Sequence, residues 1–128
     1  MKKKIIISVL VVFIILAVAI GITLSQATKK VDKLLLEEVC NVNLSEIKDG
    51  EYLGSYDAGL VKVEVEVLIE SGKIEEVKLL KHTNGKGENG ETVIDNIIEN
   101  QSLQVDTIAG ATISSKAIIK AVENALVK

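Results

Sequence analysis

Twenty consecutive residues without a charge, Ile5 to Leu24, read IIISVLVVFIILAVAIGITL. No other feature restricts the folding of this chain as much. A helix of that length rises about 30 Å, the hydrocarbon thickness of a bilayer. The run predicts one N-terminal transmembrane helix over 5–24, behind a cytoplasmic head of residues 1–4. Lys2, Lys3 and Lys4 precede it, and Lys29, Lys30 and Lys33 follow it, so lysine counting alone leaves its orientation tied. The α-amine adds positive charge to the front, and keeping a four-residue head inside is the simpler topology. The expectation is a single pass through the cell membrane, with the C-terminal domain extracytoplasmic. The alternative is a cleaved signal peptide with Ser25-Gln26-Ala27 as its small-x-small site, although signal peptides usually carry an apolar region of only about 7–15 residues.

Composition matters mainly for the rest of the chain. Lys2 to Lys4 take three of the 15 basic residues; the other 12 lie beyond residue 24 with all 18 acids, a net charge there of −6. An acidic domain is a poor partner for nucleic acid, whose phosphates call for basic patches. Cys40 is the one cysteine, so an intramolecular disulfide is impossible. It reads as a small apolar residue on a helix face.

Thr28 to Cys40 places Val31, Leu34, Leu35 and Val39 at helical spacing. It predicts a helical stalk or linker within 25–47, either continuing the membrane helix or standing apart from it. The domain proper is expected over 48–128. EYLGSYDAGL (51–60) reads as a strand broken by Gly54 and Gly59. In VKVEVEVLIE, Val61, Val63, Val65, Val67 and Ile69 share one face, and Lys62, Glu64, Glu66 and Glu70 the other. That period of two predicts a half-buried antiparallel strand. Ser71-Gly72 turns the chain into a returning strand, KIEEVKLL, where Ile74 is out of phase with Val77 and Leu79. A bulge near Glu75-Glu76 would restore the register.

KHTNGKGENGE (81–91) reads as a loop and TVIDNIIENQ as a helix burying Val93, Ile94, Ile97 and Ile98. SLQVDTI is short and extended. The last helix is expected from Ser115 to Val127, with Ser114 or Ser115 as its cap. The fold class is α+β: a small antiparallel sheet with packed helices, preceded by one N-terminal transmembrane helix.

Few side chains here carry chemistry of their own. His82 is the single histidine, which excludes a His-rich metal site, and four thiolates for an iron–sulfur cluster do not exist. No metal ligand set and no catalytic residue is assigned. Any redox or transfer chemistry would have to come from a cofactor.

One stretch stands apart. Asp106-x-x-x-Gly110-Ala111-Thr112-x-Ser114 resembles the flavinylation motif of the FMN-binding domain family, which includes flavin subunits of the sodium-translocating NADH:quinone oxidoreductase and of Rnf-type complexes, and small membrane-anchored bacterial flavoproteins. DGEYLGSYDAG, the valine-alternating strand, SGKIEEV and AIIKAVENAL resemble the family in the same order, over roughly residues 48–127. By chance, Asp, Gly, Ala and Thr at this spacing occur about once in ~10⁵ positions. Ala109 stands where the family usually has Ser.

The resemblance implies a covalent cofactor. A separate Mg²⁺-dependent flavin transferase uses FAD as donor and joins FMN through its phosphate to Thr112. The flavin then carries electrons, which makes the protein a carrier more than an enzyme with its own substrate. Redox partner proteins, quinone or soluble flavin are the implied exchange partners. The residue chemistry agrees with it: Gly110 and Ala111 clear space and Gly110 permits φ > 0, while a helix N-terminus favours a negative phosphate. Asp106 would orient the turn or be read by the transferase, and Ser114 would bond the phosphate or cap the helix. Tyr56 or Tyr52 could stack on the flavin ring or simply pack. Lys81, His82 and Lys86 could steady the flavin or belong to a solvated loop. Two alternatives stay open: FMN held without a bond, and a non-redox membrane-anchored binding module.

Overall fold

In the computed structural model, which describes residues 1–83 and 88–127, helix α1 runs unbroken from Lys2 to Leu36. One helix thus covers the apolar run and about half of the segment read as a stalk. Every residue from Met1 to Gln26 is exposed. A helix apolar all round and covered by no protein matches a membrane span in length and composition. From Ala27 onward α1 docks on the domain. Ala27 lies against the turn at Gly59, Lys30 pairs with Asp57 at 3.1 Å, and Leu34 is fully buried in the core.

The helix ends at Leu36, short of the expected Cys40, because Glu37 turns to extended backbone (φ −69°, ψ 130°). The Glu37 carboxylate accepts the Tyr56 hydroxyl at 3.0 Å, and the Cys40 amide donates to Glu123 at 3.0 Å. These partners pull residues 37–42 off the helix axis, and Val39 and Val42 then pack on the core from an extended chain.

Strands β1 (Gly50–Asp57), β2 (Lys62–Glu70) and β3 (Lys73–Thr83) form one antiparallel sheet in the order β1-β2-β3. The alternation in β2 holds residue by residue: Val63, Val65, Val67 and Ile69 are buried, as is Val61 just before the strand. Ser71 and Gly72 both take positive φ (52° and 73°), the turn that matches the twist of a two-residue hairpin. β3 carries two extra residues. Glu75 bulges where the register shifts opposite Leu68/Ile69, and Leu80 opposite Glu64/Val65. The first bulge returns Ile74 to the core face, as its spacing required; the second leaves Leu80 on the outer face and exposed.

A 3-10 turn (Glu88–Thr92) leads into α2 (Val93–Asn100), which buries Val93 and Ile97. The Gln101 side chain then pins the end of α2 to β3, accepting from the Ile74 amide at 2.8 Å and donating to the Ile74 carbonyl at 2.9 Å. Helix α3 (Thr112–Leu126) lies across the inner face of the sheet, burying Ala117, Ile118, Ala121, Val122 and Ala125. Its backbone comes so close to β1 that a Cβ on Gly54 would stand 2.1 Å from the Ala121 carbonyl oxygen. Gly54 therefore does not break β1; it lies within the strand and admits the helix. The outer face, with Glu51, Leu53, Glu64, Lys78 and Lys81, is exposed.

Candidate functional site

The stretch 108–111 is a turn feeding directly into α3. The Ala111 amide donates to the Ile108 carbonyl at 2.9 Å, and Gly110 has φ +78°. A four-residue turn with positive φ at its third position has type II character, which favours glycine there. A Cβ at Gly110 would meet no described atom within 4 Å, so this glycine serves backbone shape and open space, where Gly54 serves close packing.

The helix starts three residues earlier than its spacing suggests. Thr112 is its first residue and Ala111 its cap position, with no side-chain hydrogen bond to the first turn. Neither Ser114 nor Ser115 is the N-cap; both are buried inside the first turn and a quarter. Ser115 Oγ donates to the Ala111 carbonyl at 2.7 Å and accepts from the Ile108 amide at 3.0 Å. It fastens the turn to the helix. Ser115→Ala strands the Ile108 amide, and we expect a loss of about 1–3 kcal/mol in denaturant unfolding of the domain; an unchanged midpoint contradicts this role.

Ser114 Oγ lies 3.2 Å from His82 Nε2, and His82 Nδ1 lies 2.8 Å from Glu91 Oε1. A carboxylate only accepts, so Nδ1 is the donor toward Glu91. His82, at the end of β3, thus ties the 3-10 turn and the first turn of α3 to the sheet. Gly90 in that turn packs against Ser114 so tightly that an added Cβ would be 2.8 Å from the Ser114 Cβ. The structure brings His82, Ser114, Ala111 and Gly110 to one corner, around Thr112. The Thr112 side chain itself is exposed, and no described residue hydrogen-bonds its hydroxyl.

Asp106 is exposed on the stretch before the turn. It lines a groove of about 460 Å³ between the end of α1 with the residues that follow it (35–39), the stretch 103–106 and Lys116. Lys86 lies outside the described residues, and Lys81 sits on the outer face. Tyr52 donates to the Lys48 carbonyl at 2.6 Å.

Tyr56 belongs to a different cluster. Lys120, the one buried lysine among the described residues, pairs with Glu123 at 2.8 Å and Glu37 at 3.8 Å, and Glu37 takes the Tyr56 hydroxyl. Lys120 is eight residues beyond Thr112, about 12 Å along α3. Partial burial works to raise the Glu37 carboxyl, but Tyr56, Lys33 and Lys120 outweigh it and hold it below the ordinary value. Burial first, then the hydrogen bond and charge of Glu37 and the charge of Glu123, push the Tyr56 phenol up to about 12. The folded chain favours the protonated phenol. Its contribution to stability is therefore complete below about pH 10 and lost as pH rises through about 12. A tyrosinate absorbance titration should show a step near pH 12 that Tyr56→Phe removes; two superimposable titrations contradict it.

Chemically, the described residues of this corner offer an exposed alcohol over the amides of a helix without a side-chain cap. A phosphate ester on Thr112 Oγ1 would lie where those amides and the helix dipole stabilise negative charge, beside a turn without side-chain bulk. The residues fit the group that the motif implies.

A model of the FMN-binding domain family matches residues 58–127, more than half of the chain. Over 85 residues, 64% of this chain, the sequence is 36% identical to an uncharacterized protein of Treponema pallidum (strain Nichols). The matched stretch is about a quarter (24%) of that relative's length. The match takes in β2, β3, α2, the turn and α3 together, so the chain belongs to the FMN-binding domain family.

Proposed function

We propose that this FMN-binding protein is a membrane-anchored, extracytoplasmic electron carrier whose FMN is esterified to Thr112. The observation that carries this reading is the exposed Thr112 hydroxyl at the first position of a helix without a side-chain cap, two residues after the positive-φ Gly110. In the attachment, a flavin transferase with Mg²⁺ and FAD forms the bond from Thr112 Oγ1 to the FMN phosphorus. The bond from that phosphorus to AMP breaks, AMP departs, and the hydroxyl proton passes to solvent. Bound FMN supplies one- and two-electron redox chemistry that the polypeptide lacks. The chain's own part is to present the alcohol, hold the turn through Ser115, and offer first-turn amides to the phosphate. Redox proteins, quinone or soluble flavin would exchange electrons with it. A covalent bond suits a site outside the cell, since a tethered cofactor keeps its local concentration whatever the free FMN.

The test is a denaturing gel of the full chain co-expressed with a flavin transferase. The expected result is a fluorescent protein band. Colour that leaves on denaturation supports FMN held without a bond, and a colourless native protein supports a non-redox binding module.

A further inference from the structure

The geometry points to the groove between the end of α1 and the stretch 103–106 as the seat of the flavin ring, a step that rests on attachment at Thr112. Lys116 lies one turn after Thr112 on the same face of α3, about 6 Å along the axis, and it lines this groove. A ribityl chain is long enough to bridge one to two helical turns. The groove's 460 Å³ falls within the roughly 300–1,000 Å³ of small-molecule sites.

Its lining offers Leu35 and Leu36 to a flat ring, beside three carboxylates (Glu37, Glu38 and Asp106) and one cation, Lys116. Leu36 is 84% exposed and Leu35 44%, bare apolar surface beyond the span itself. Gln104 closes one wall by donating to the Val39 carbonyl at 2.7 Å. Lys116 Nζ donates to the Leu35 carbonyl at 2.8 Å, which fixes a positive charge inside the groove where a reduced flavin gathers negative charge. A second groove, of about 330 Å³, lies on the other side of the same stretch. It is lined by Asn96, Asn100, Gln104, Val105 and Asp106, with no residue of α3 and no cation, so it lacks both the link to Thr112 and the charge.

On this placement the anchor helix is itself a wall of the cofactor site. The ring is held at Leu36, twelve residues or about 18 Å along α1 from the end of the apolar run at Leu24.

The chain contains no tryptophan, and an indole in contact with a flavin quenches its emission. Leu36→Trp and Leu80→Trp, in the full chain co-expressed with the transferase and kept in detergent, place that quencher in the groove and on the outer face of the sheet. Both positions are exposed. Expected is a several-fold loss of flavin emission in the native Leu36→Trp protein alone, with equal emission from both after denaturation. Lys116→Gln should lower the flavin midpoint potential. A flavinylated Leu36→Trp chain that emits like Leu80→Trp overturns the seat and leaves the attachment standing. A chain that takes up no flavin removes the attachment and the seat together.

Discussion

Thr112→Val gives a chain that folds and melts like its parent and takes up no covalent flavin. Valine keeps the size and branching of threonine at the first position of α3 and deletes only the hydroxyl. That hydroxyl is exposed and bonded to no described residue, so stability should change by less than about 0.5 kcal/mol. Attachment, in contrast, should fall to zero, because the other two hydroxyls in the opening of α3, Ser114 and Ser115, are buried and engaged with His82, Ala111 and Ile108. Thr112→Ser restores an alcohol at the same place and should recover the fluorescent band. Fluorescence that persists in the valine variant moves the attachment site elsewhere, whereas a melt shifted by several degrees gives Thr112 a packing role that its exposure excludes.

The largest loss of stability is expected at Gly54. A Cβ there would stand 2.1 Å from the Ala121 carbonyl oxygen, 2.6 Å from the Ala125 amide nitrogen and 2.7 Å from the Ala125 Cβ. Two of the three are backbone atoms of α3, so relief requires the helix to move off the sheet. Gly54→Val gains up to about 1 kcal/mol from strand propensity. Against that stands overpacking at about 3 kcal/mol or more, and a helix pushed outward also loses contacts around Val122 and Ala117. Sterics win, and the thermal midpoint should drop by roughly 10–20 °C in a domain of this size. Ser55→Val, the next residue, points to the open face and should change little. Equal melting of the two variants would mean that α3 does not approach β1 as closely as described.

How far the sequence could be read depended on how local each cause is. The period of two in Val61 to Ile69 needs only its own neighbours, and β2 follows it. The hairpin at Ser71-Gly72 and the bulge at Glu75 are likewise written in adjacent residues. Gly110 and Thr112 were legible because turn chemistry and a hydroxyl before a helix are local patterns. Gly54 looked like a break in a strand because the helix that demands it arrives some seventy residues later. The end of α1 at Leu36 was hidden for the same reason: Glu37 is drawn away by Tyr56 and Lys120, neither visible from the heptad-like spacing of Val31 to Val39. At the candidate site the serines looked like caps, since Ser before an apolar run commonly is one. His82 and Gly90, from distant segments, instead enclose Ser114, and Ser115 folds back on the turn, so the helix begins at Thr112. That shift moves the alcohol from just outside the helix to its first residue, nearer the free amides. Lys116 could have been noticed from its i+4 spacing to Thr112, but the groove it lines needs the end of α1 to be placed.

Intact-protein mass spectrometry of the native, full-length chain, taken from cells that make a flavin transferase, is the sharpest test of FMN esterified to Thr112. The expected result is a single added mass equal to FMN less one water, carried on the peptide containing Thr112. A mature protein with the mass of its polypeptide alone contradicts it.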